Sequence, residues 1–326
     1  MSFADDRVLR VVCASLSLVR GSVMQELLAM REPVSAFNLV HGVRSVFLYA
    51  SGWLFQWQEG PAAGVEKALR ITQADPRVGP MRVLHRSLGP ATLGETLQIV
   101  TTHNLDKPID VARRLLKQSQ ALETSAQPDE LWMQLLAPPG LASPVTAEPA
   151  LVQRHVVALT SGNSGAVDLV RAIGERAGVP VTYQRFAAGA PRSADVGAVY
   201  ADLPGSFHVM RLHALSRRSL SHPMVRLLLR DVQCVLLLLG DRADANRALA
   251  DDVGVLLGQL LVRPSLRLAA SAAGAASTAR QCLQSYSGDI ADIDAAALWQ
   301  VGPDDLFDSL LGPGRIQKEA IAFLPA

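Results

Sequence analysis

Residues 47–69 read FLYASGWLFQWQEGPAAGVEKAL, two runs of aromatic and aliphatic residues separated by a short turn sequence. Runs of this kind on either side of residues 50–52 predict a β-hairpin. Gly60 and Pro61 end the second strand, and the apolar spacing over residues 63–73 predicts an amphipathic helix after it. The segment therefore predicts a strand–turn–strand–helix unit.

The sequence on both sides of this unit predicts an α+β domain. The predicted order is β-α-β-β-α-β-β, a mixed sheet with two helices on one face, of ferredoxin-like type. The flanking elements are predicted at residues 9–18, 21–31, 83–88 and 98–101, and two further helices at residues 108–122 and 129–136.

A second domain is predicted after a proline-rich segment. Residues 137–151 are dense in proline, alanine and serine, and proline cannot donate the backbone hydrogen bonds of a helix or sheet, so a linker is predicted there. From residue 152 to 312 strands and helices alternate, which predicts a mostly parallel sheet covered by helices. The predicted organisation is one domain at 1–136, the linker, a second domain at 152–312 and a tail at 313–326.

Composition limits the classes of partner. The 326 residues include 31 basic and 30 acidic side chains, a net charge of +1, which gives no long-range field for nucleic acid or an anionic membrane. The three cysteines form no disulfide or zinc pattern. The N-terminus lacks a basic and apolar leader, and the most apolar run is far shorter than the ~20 residues that cross a bilayer. We therefore expect a cytoplasmic protein.

The first hundred residues resemble the BLUF domains, blue-light sensors that use flavin. The resemblance is carried by residues 36–38, by the hairpin at 47–69 and by Asp75-Pro76-Arg77. It implies a flavin site in which Asn38 and Gln56 match the family's asparagine and glutamine, with Arg77 beside them.

This sequence departs from the BLUF pattern at the residue that carries the photochemistry. The family uses a tyrosine on the first strand to give an electron and a proton to the flavin, and no tyrosine is present there. Ala14 is expected at that position, and Arg44 is expected near the flavin site. The resemblance thus implies a vestigial site with no cofactor, and FAD binding is the alternative.

Residues 155–169, HVVALTSGNSGAVDL, resemble the first motif of Ras-like small GTPases. A phosphate-binding loop needs glycines, a lysine and a Ser/Thr hydroxyl after its first strand. Gly165 matches the second glycine and Gly162 lies in the same turn. Ala166 and Val167 stand at the positions of the lysine and the hydroxyl. The resemblance therefore implies a Ras-like P-loop fold that has lost the side chains that bind phosphate and magnesium.

Two other segments bear on this resemblance. Asp202 and Gly205 match the family's Asp-x-x-Gly motif, in which the aspartate reaches magnesium, although a strand-ending turn explains the same four residues. The strand at 266–270 runs into Ser-Ala-Ala-Gly, where the family has its guanine-reading Asn-Lys-x-Asp. Gly162, Gly165, Asp202 and Gly205 are therefore expected to form a vestigial nucleotide site.

Histidines and aromatic residues are further candidates for a binding site. His208, His213 and His222 match no zinc spacing and are expected in a surface loop. Trp53 and Trp57 share one face of the hairpin with the phenylalanine between them, either as a partner surface or, more commonly, as core.

These observations predict a non-catalytic cytoplasmic signalling adaptor, built from a photochemically inactive BLUF-like domain and a pseudo-GTPase domain. The expected partner is a protein, either a Ras-like GTPase or a second copy of this chain, with no nucleic acid and no membrane. One alternative is an FAD-binding blue-light or redox sensor, and another is a nucleotide-binding GTPase-like hydrolase.

Overall fold

The computed structural model divides by its internal contacts into two compact units. The first unit is Met1–Ala142 with Gln184–Val196, and the second is Ser143–Tyr183 with Gly197–Ala326. The structure describes residues 7–103, 107–121, 127–136, 152–162, 165–189, 195–205 and 208–312. The predicted linker at 137–151 and tail at 313–326 lie outside these residues.

The first unit contains the predicted hairpin and the strands around it. Its elements are β1 (Arg7–Leu16), α1 (Val23–Ala29), α2 (Arg31–His41), β2 (Arg44–Ala50), β3 (Trp53–Gly60), α3 (Ala62–Ala74), β4 (Arg82–Pro90), β5 (Leu97–His103), α4 (Pro108–Ala121) and α5 (Pro128–Leu136).

The sheet of the first unit has the order β4-β1-β3-β2-β5. The β1–β3, β1–β4 and β2–β3 pairs are antiparallel and the β2–β5 pair is parallel, so the predicted mixed sheet is confirmed. Two helices, α1 and α2, lie between β1 and β2 where one was predicted. Both helices pack on the same face of the sheet as α3. Leu27 of α1 lies in one apolar cluster with Phe47 of β2, and Val65 of α3 lies in a second cluster with Val11 of β1.

Residues 184–189 also belong to the first unit, which the sequence did not indicate. Gly189 N donates to the Leu97 carbonyl (2.7 Å), and Gln184 Nε2 donates to Thr102 Oγ1 (3.2 Å). Ala187 is buried in the apolar cluster that contains Leu97. The stretch predicted as one domain at 152–312 is therefore interrupted by a segment that packs along β5.

The second unit alternates strands and helices. Its elements are β6 (Val152–Thr160), α6 (Gly165–Arg176), β7 (Val181–Ala188, whose last residues belong to the first unit), β8 (Val196–Pro204), β9 (His208–Ser216), α7 (Pro223–Leu228), β10 (Cys234–Leu239), α8 (Ala243–Gly258), β11 (Ser265–Ala270), α9 (Ala275–Cys282), β12 (Ile290–Asp294), α10 (Ala295–Leu298) and α11 (Pro303–Leu311).

The sheet of the second unit has the order β8-β9-β6-β10-β11-β12. The pairs β9–β6, β6–β10, β10–β11 and β11–β12 are parallel, and only β8 runs against its neighbour β9 among the described pairs. The apolar run of β10 is almost wholly buried, as expected for a parallel strand covered on both faces. The mixed α/β class predicted for the chain is thus confirmed.

One strand of this sheet contradicts the expectation of a histidine-rich surface loop. His208 and His213 lie in β9, and both are buried, as is His222, the residue that caps α7. The polar residues of this segment hid its strand character, because their burial depends on partners from other strands. Among the described residues, no helix is both long and apolar enough to span a membrane.

Candidate functional site

A cavity of about 350 Å³ lies in the first unit. Helices α1 and α2 form one wall, β2 and β3 form the floor, and α3 with the loop after it closes another side. This volume falls in the range of about 300–1,000 Å³ that is typical of small-molecule sites. The lining is mostly apolar, with nine polar or charged side chains, among them Asn38, Ser45, Gln56, Gln58 and Arg77.

Asn38 enters this cavity from α2, as the sequence predicted. It is buried, and its Nδ2 donates to Ser45 Oγ (3.0 Å) and to the Thr96 carbonyl (2.8 Å). These two bonds tie α2 to β2 and to the start of β5. The Asn38 carbonyl oxygen is then the group that this side chain can offer to a ligand.

Gln56 faces the same cavity from β3. Its Oε1 accepts hydrogen bonds from Thr72 Oγ1 (3.3 Å) and from Gln58 Nε2 (3.3 Å). With the oxygen used twice, the NH₂ group is what Gln56 can offer to a ligand. Gln58 was not among the predicted site residues, although the two-residue period of a strand places it on the Gln56 face.

The first-strand position beside Gln56 is held by Cys13, which corrects the expectation of Ala14. Cys13 pairs directly with Gln56 across β1 and β3, while Ala14 pairs with Phe55. Residues opposite each other on paired strands share a face, so Ala14 points away from the cavity side. Burial raises the pKa of the Cys13 thiol to about 12, against a smaller lowering by Arg86. The thiol is therefore protonated at neutral pH, and no phenol stands at this position.

Arg77 lines the cavity, and carboxylates on two sides hold its guanidinium. Its Nη1 lies 2.8 Å from Glu26 Oε2, and its Nη2 lies 2.7 Å from Asp75 Oδ2. Hydrogen bonds from Arg77 lower the pKa of the Asp75 carboxyl below its usual value. Because its charge is already balanced, Arg77 joins α1 to the loop after α3 rather than offering a free cation to a ligand.

Arg44 does not enter the cavity, contrary to expectation. It pairs in register with Glu59, on the face opposite Ser45, and donates to the Leu93 carbonyl. Successive residues of a strand point to opposite faces, which explains why its neighbour Ser45 lines the cavity and Arg44 does not.

The aromatic residues of the hairpin are part of the core. Phe55 and Trp57 are buried, and the Trp57 ring lies 5.8 Å from the ring of Trp132 in α5. Trp53 is partly buried and donates from Nε1 to the Pro108 carbonyl (2.9 Å). Of the two alternatives for this stripe, core packing is therefore the one observed.

In the second unit, hydrogen bonds hold residues 160–162, the described start of the turn that resembles a phosphate-binding loop. Gly162 N donates to Thr160 Oγ1 (3.1 Å), and Ser161 Oγ donates to Asn246 Oδ1 (2.7 Å). Asn246 is buried and also bonds to both the N–H and the carbonyl of Gly240. Polar groups at the carboxyl ends of β6 and β10 thus satisfy each other, and Gly165 begins α6 beside them.

Asp202 and Gly205 lie at the other end of this sheet. Asp202 pairs with Arg211 on β9, which pairs with His155 near the start of β6. At about 3.3 Å per residue, that level is about 16 Å from Thr160 at the end of β6. The structure therefore does not bring Asp202 and Gly205 together with Gly162 and Gly165, and the expected vestigial nucleotide site is not assembled. Gly205 instead forms the β8–β9 turn, with its N–H bonded to the His208 carbonyl.

Asp202 belongs to a buried ionic and aromatic cluster. Arg211 donates to it twice, from Nε (2.7 Å) and from Nη2 (2.9 Å), and the guanidinium lies 4.0 Å from the centre of the Tyr200 ring. The His213 ring stacks on His155 at 6.0 Å, and neither of its nitrogens has a hydrogen-bond partner among the described residues. Across all the residues that the structure describes, no group of three or more potential metal ligands occurs.

Both histidines of this cluster are held neutral. Burial, assisted by Arg211, lowers the pKa of His155 to about 4. Burial lowers the pKa of His213 well below its usual value, and Arg211 and His155 act in the same direction. The cluster has the character of a structural core element rather than of a metal site.

No protein-family model and no curated protein matches this sequence. Solved structures similar to it include "BlsA photo-activated state" (20% identical, covering 40% of this chain and 92% of that chain, TM-score 0.28). Another is "BlrB - a BLUF protein, dark state structure", which is 18% identical, with 40% of this chain and 94% of that chain covered and a TM-score of 0.28. A third is Klebsiella pneumoniae BlrP1, which is 17% identical, with 87% of this chain and 67% of that chain covered and a TM-score of 0.26. Because these TM-scores are low, any inference of a ligand depends on the cavity itself.

Proposed function

We propose that the first unit binds a flavin and that the chain acts as a non-catalytic signalling protein. The observation that carries this proposal is the cavity of about 350 Å³, in which the amides of Asn38, Gln56 and Gln58 face apolar walls. An isoalloxazine ring is a planar, largely apolar body with a hydrogen-bonding edge. Such a ligand requires an apolar pocket in which polar groups are placed to bond to that edge.

A bound flavin would supply blue-light absorption and redox chemistry. The residues of this chain would orient the ring through the Gln56 NH₂ and exclude water with the apolar walls, while Asn38 holds α2 against Ser45 and Thr96. Cys13, next to Gln56, offers a protonated thiol in place of the phenol that BLUF domains use. The tyrosine route of that family is thus closed to this protein.

An absorption spectrum tests both parts of the proposal. We expect the protein, after incubation with FAD and desalting, to keep the flavin absorption and to show no reversible change under blue light. A colourless protein would contradict flavin binding. A reversible light-induced change would contradict the loss of photochemistry, because it would require another side chain to donate to the flavin.

We further infer that the second unit is a GTPase-like domain without a working nucleotide site. Support comes from its mostly parallel sheet, from the strand–turn–helix order of β6 and α6, and from Ala166 at the position of the lysine. Asn246 uses its amide on Gly240 and on the Ser161 hydroxyl, so neither Asn246 nor that hydroxyl is free to bind a phosphate. Asp202 adds no support, since it lies at the opposite end of the sheet.

A basic cleft of about 470 Å³ in the second unit supports protein docking as a second function. It is lined by Arg217, Arg218 and Arg226 with one acid, Asp252, and by Val255, whose side chain is 67% exposed. Arginine beside exposed apolar surface is typical of protein interfaces. The partner that we propose is a protein that presents carboxylates next to an apolar side chain, and a GTPase or a second copy of this chain is a candidate.

A further inference from the structure

Gln58 has a buried acceptor for which none of the described residues provides a donor. Its side chain is 2% exposed and lines the cavity of the first unit. The Nε2 group donates to Gln56 Oε1, but Oε1 of Gln58 has no hydrogen-bond partner among the described residues. An unsatisfied buried acceptor destabilises a protein, so this oxygen points to a ligand donor.

The orientation of the Gln58 amide follows from its neighbour. Gln56 Oε1 accepts from both Thr72 and Gln58, and with Gln56 in this orientation, turning the Gln58 amide over would bring two carbonyl oxygens together. The observed orientation therefore places an NH₂ group from Gln56 beside a C=O group from Gln58. A neighbouring donor and acceptor complement a ligand edge in which a C=O group stands next to an N–H group.

We propose that Gln58 is a ligand-binding residue that accepts a hydrogen bond from the imide N–H of the flavin ring. This proposal rests on flavin binding in the cavity. The oxidised isoalloxazine ring carries a single N–H, at N3, between two carbonyl groups. The ribityl hydroxyls are the other donors of riboflavin, and lumiflavin lacks them.

Gln98 provides a matched control in the same sheet. It is also buried, and its Oε1 likewise has no hydrogen-bond partner among the described residues. It pairs with Val46 across β2 and β5, whereas its neighbour Ile99 pairs with the cavity-lining Phe47. Gln98 therefore lies on the sheet face opposite the cavity.

Binding of lumiflavin and of 3-methyllumiflavin tests the proposal, because the methyl group removes the only ring N–H. We expect the wild-type protein and Gln98→Met to bind lumiflavin about tenfold more tightly than the methylated compound. In Gln58→Met the two affinities should agree within about twofold, since unbranched methionine fills similar space without a carbonyl oxygen. The readout is quenching of flavin fluorescence in the dark.

The outcomes separate this proposal from flavin binding as such. If Gln58→Met keeps the tenfold preference, or if the wild-type protein binds both compounds equally, Gln58 is not the acceptor, although the cavity still binds flavin. If the wild-type protein binds neither compound, both proposals fail. If Gln58→Met does not fold, equal binding of lumiflavin and 3-methyllumiflavin by the wild-type protein still contradicts the proposal.

Discussion

Asp202→Asn is expected to lower the free energy of unfolding by about 3 kcal/mol, the lower end of the effect of removing one partner of a buried ion pair, because the Asp202 side chain is 25% exposed. The Arg211 side chain is only 3% exposed, and the Asp202 carboxylate receives two of its N–H groups. Asparagine replaces one of the two acceptor oxygens with an NH₂ donor and carries no charge, so the paired bonds to Arg211 cannot both form. The guanidinium would remain in the cluster with Tyr200 without its counter-charge.

Urea denaturation measures this effect, and Asp168→Asn is its control. Asp168 lies 3.9 Å from Arg171, and both side chains are about half exposed, so that substitution should change the free energy of unfolding by less than about 1 kcal/mol. If Asp202→Asn were as mild as Asp168→Asn, and if magnesium with GTP stabilised the wild-type protein alone, Asp202 would be a nucleotide-site residue and the structural role would be refuted.

Acidification from pH 7 to pH 5 is expected to destabilise the protein through His155 and His213. The folded state keeps His155 neutral down to a pKa of about 4, while the unfolded chain takes up a proton near the ordinary value of 6.5. The unfolded state therefore binds more protons between these values, and stability is complete above about pH 6.5 and falls as the pH drops toward 4. For His155 this amounts to about 2 kcal/mol at pH 5. The lowered pKa of His213 acts in the same direction.

Chemical denaturation at a series of pH values tests this expectation. His213→Leu should reduce the slope of stability between pH 7 and pH 5, because a buried titrating group is replaced by an apolar one of similar size. His103→Gln changes an exposed histidine and should leave the slope as in the wild-type protein. A wild-type stability that is flat or rises on acidification would contradict the account of the cluster.

Local patterns in the sequence were sufficient to predict most of the fold. The hairpin was predicted on either side of residues 50–52, and the strands lie at Arg44–Ala50 and Trp53–Gly60. The strand His208–Ser216 was missed, because Arg211 and His213 are polar in sequence and become core residues only beside Tyr200 and Asp202 on the neighbouring strand. That partnership is not local, so no window of the sequence contains it.

The candidate sites show a second reason for failure, which is register. Asn38 and Gln56 were predicted together and line one cavity, because the helix and the hairpin that carry them are well marked in the sequence. A shift of one residue turns a strand side chain to the other face, so the sequence could not decide between Cys13 and Ala14. Strand direction explains why Asp202 does not join the predicted nucleotide site. The Asp-x-x-Gly segment ends β8, which is antiparallel to β9, so it lies far from the end of β6.

Titration of riboflavin into three proteins tests the claim that the cavity of the first unit holds a flavin. Val34 lines the cavity from α2, whereas Leu39 of the same helix is 77% exposed and does not. We expect saturable quenching of riboflavin fluorescence by the wild-type protein and by Leu39→Trp, and affinity at least about tenfold lower for Val34→Trp, whose indole would fill the cavity. Equal affinity of all three proteins would place any flavin elsewhere, and an absence of binding by the wild-type protein would contradict the claim.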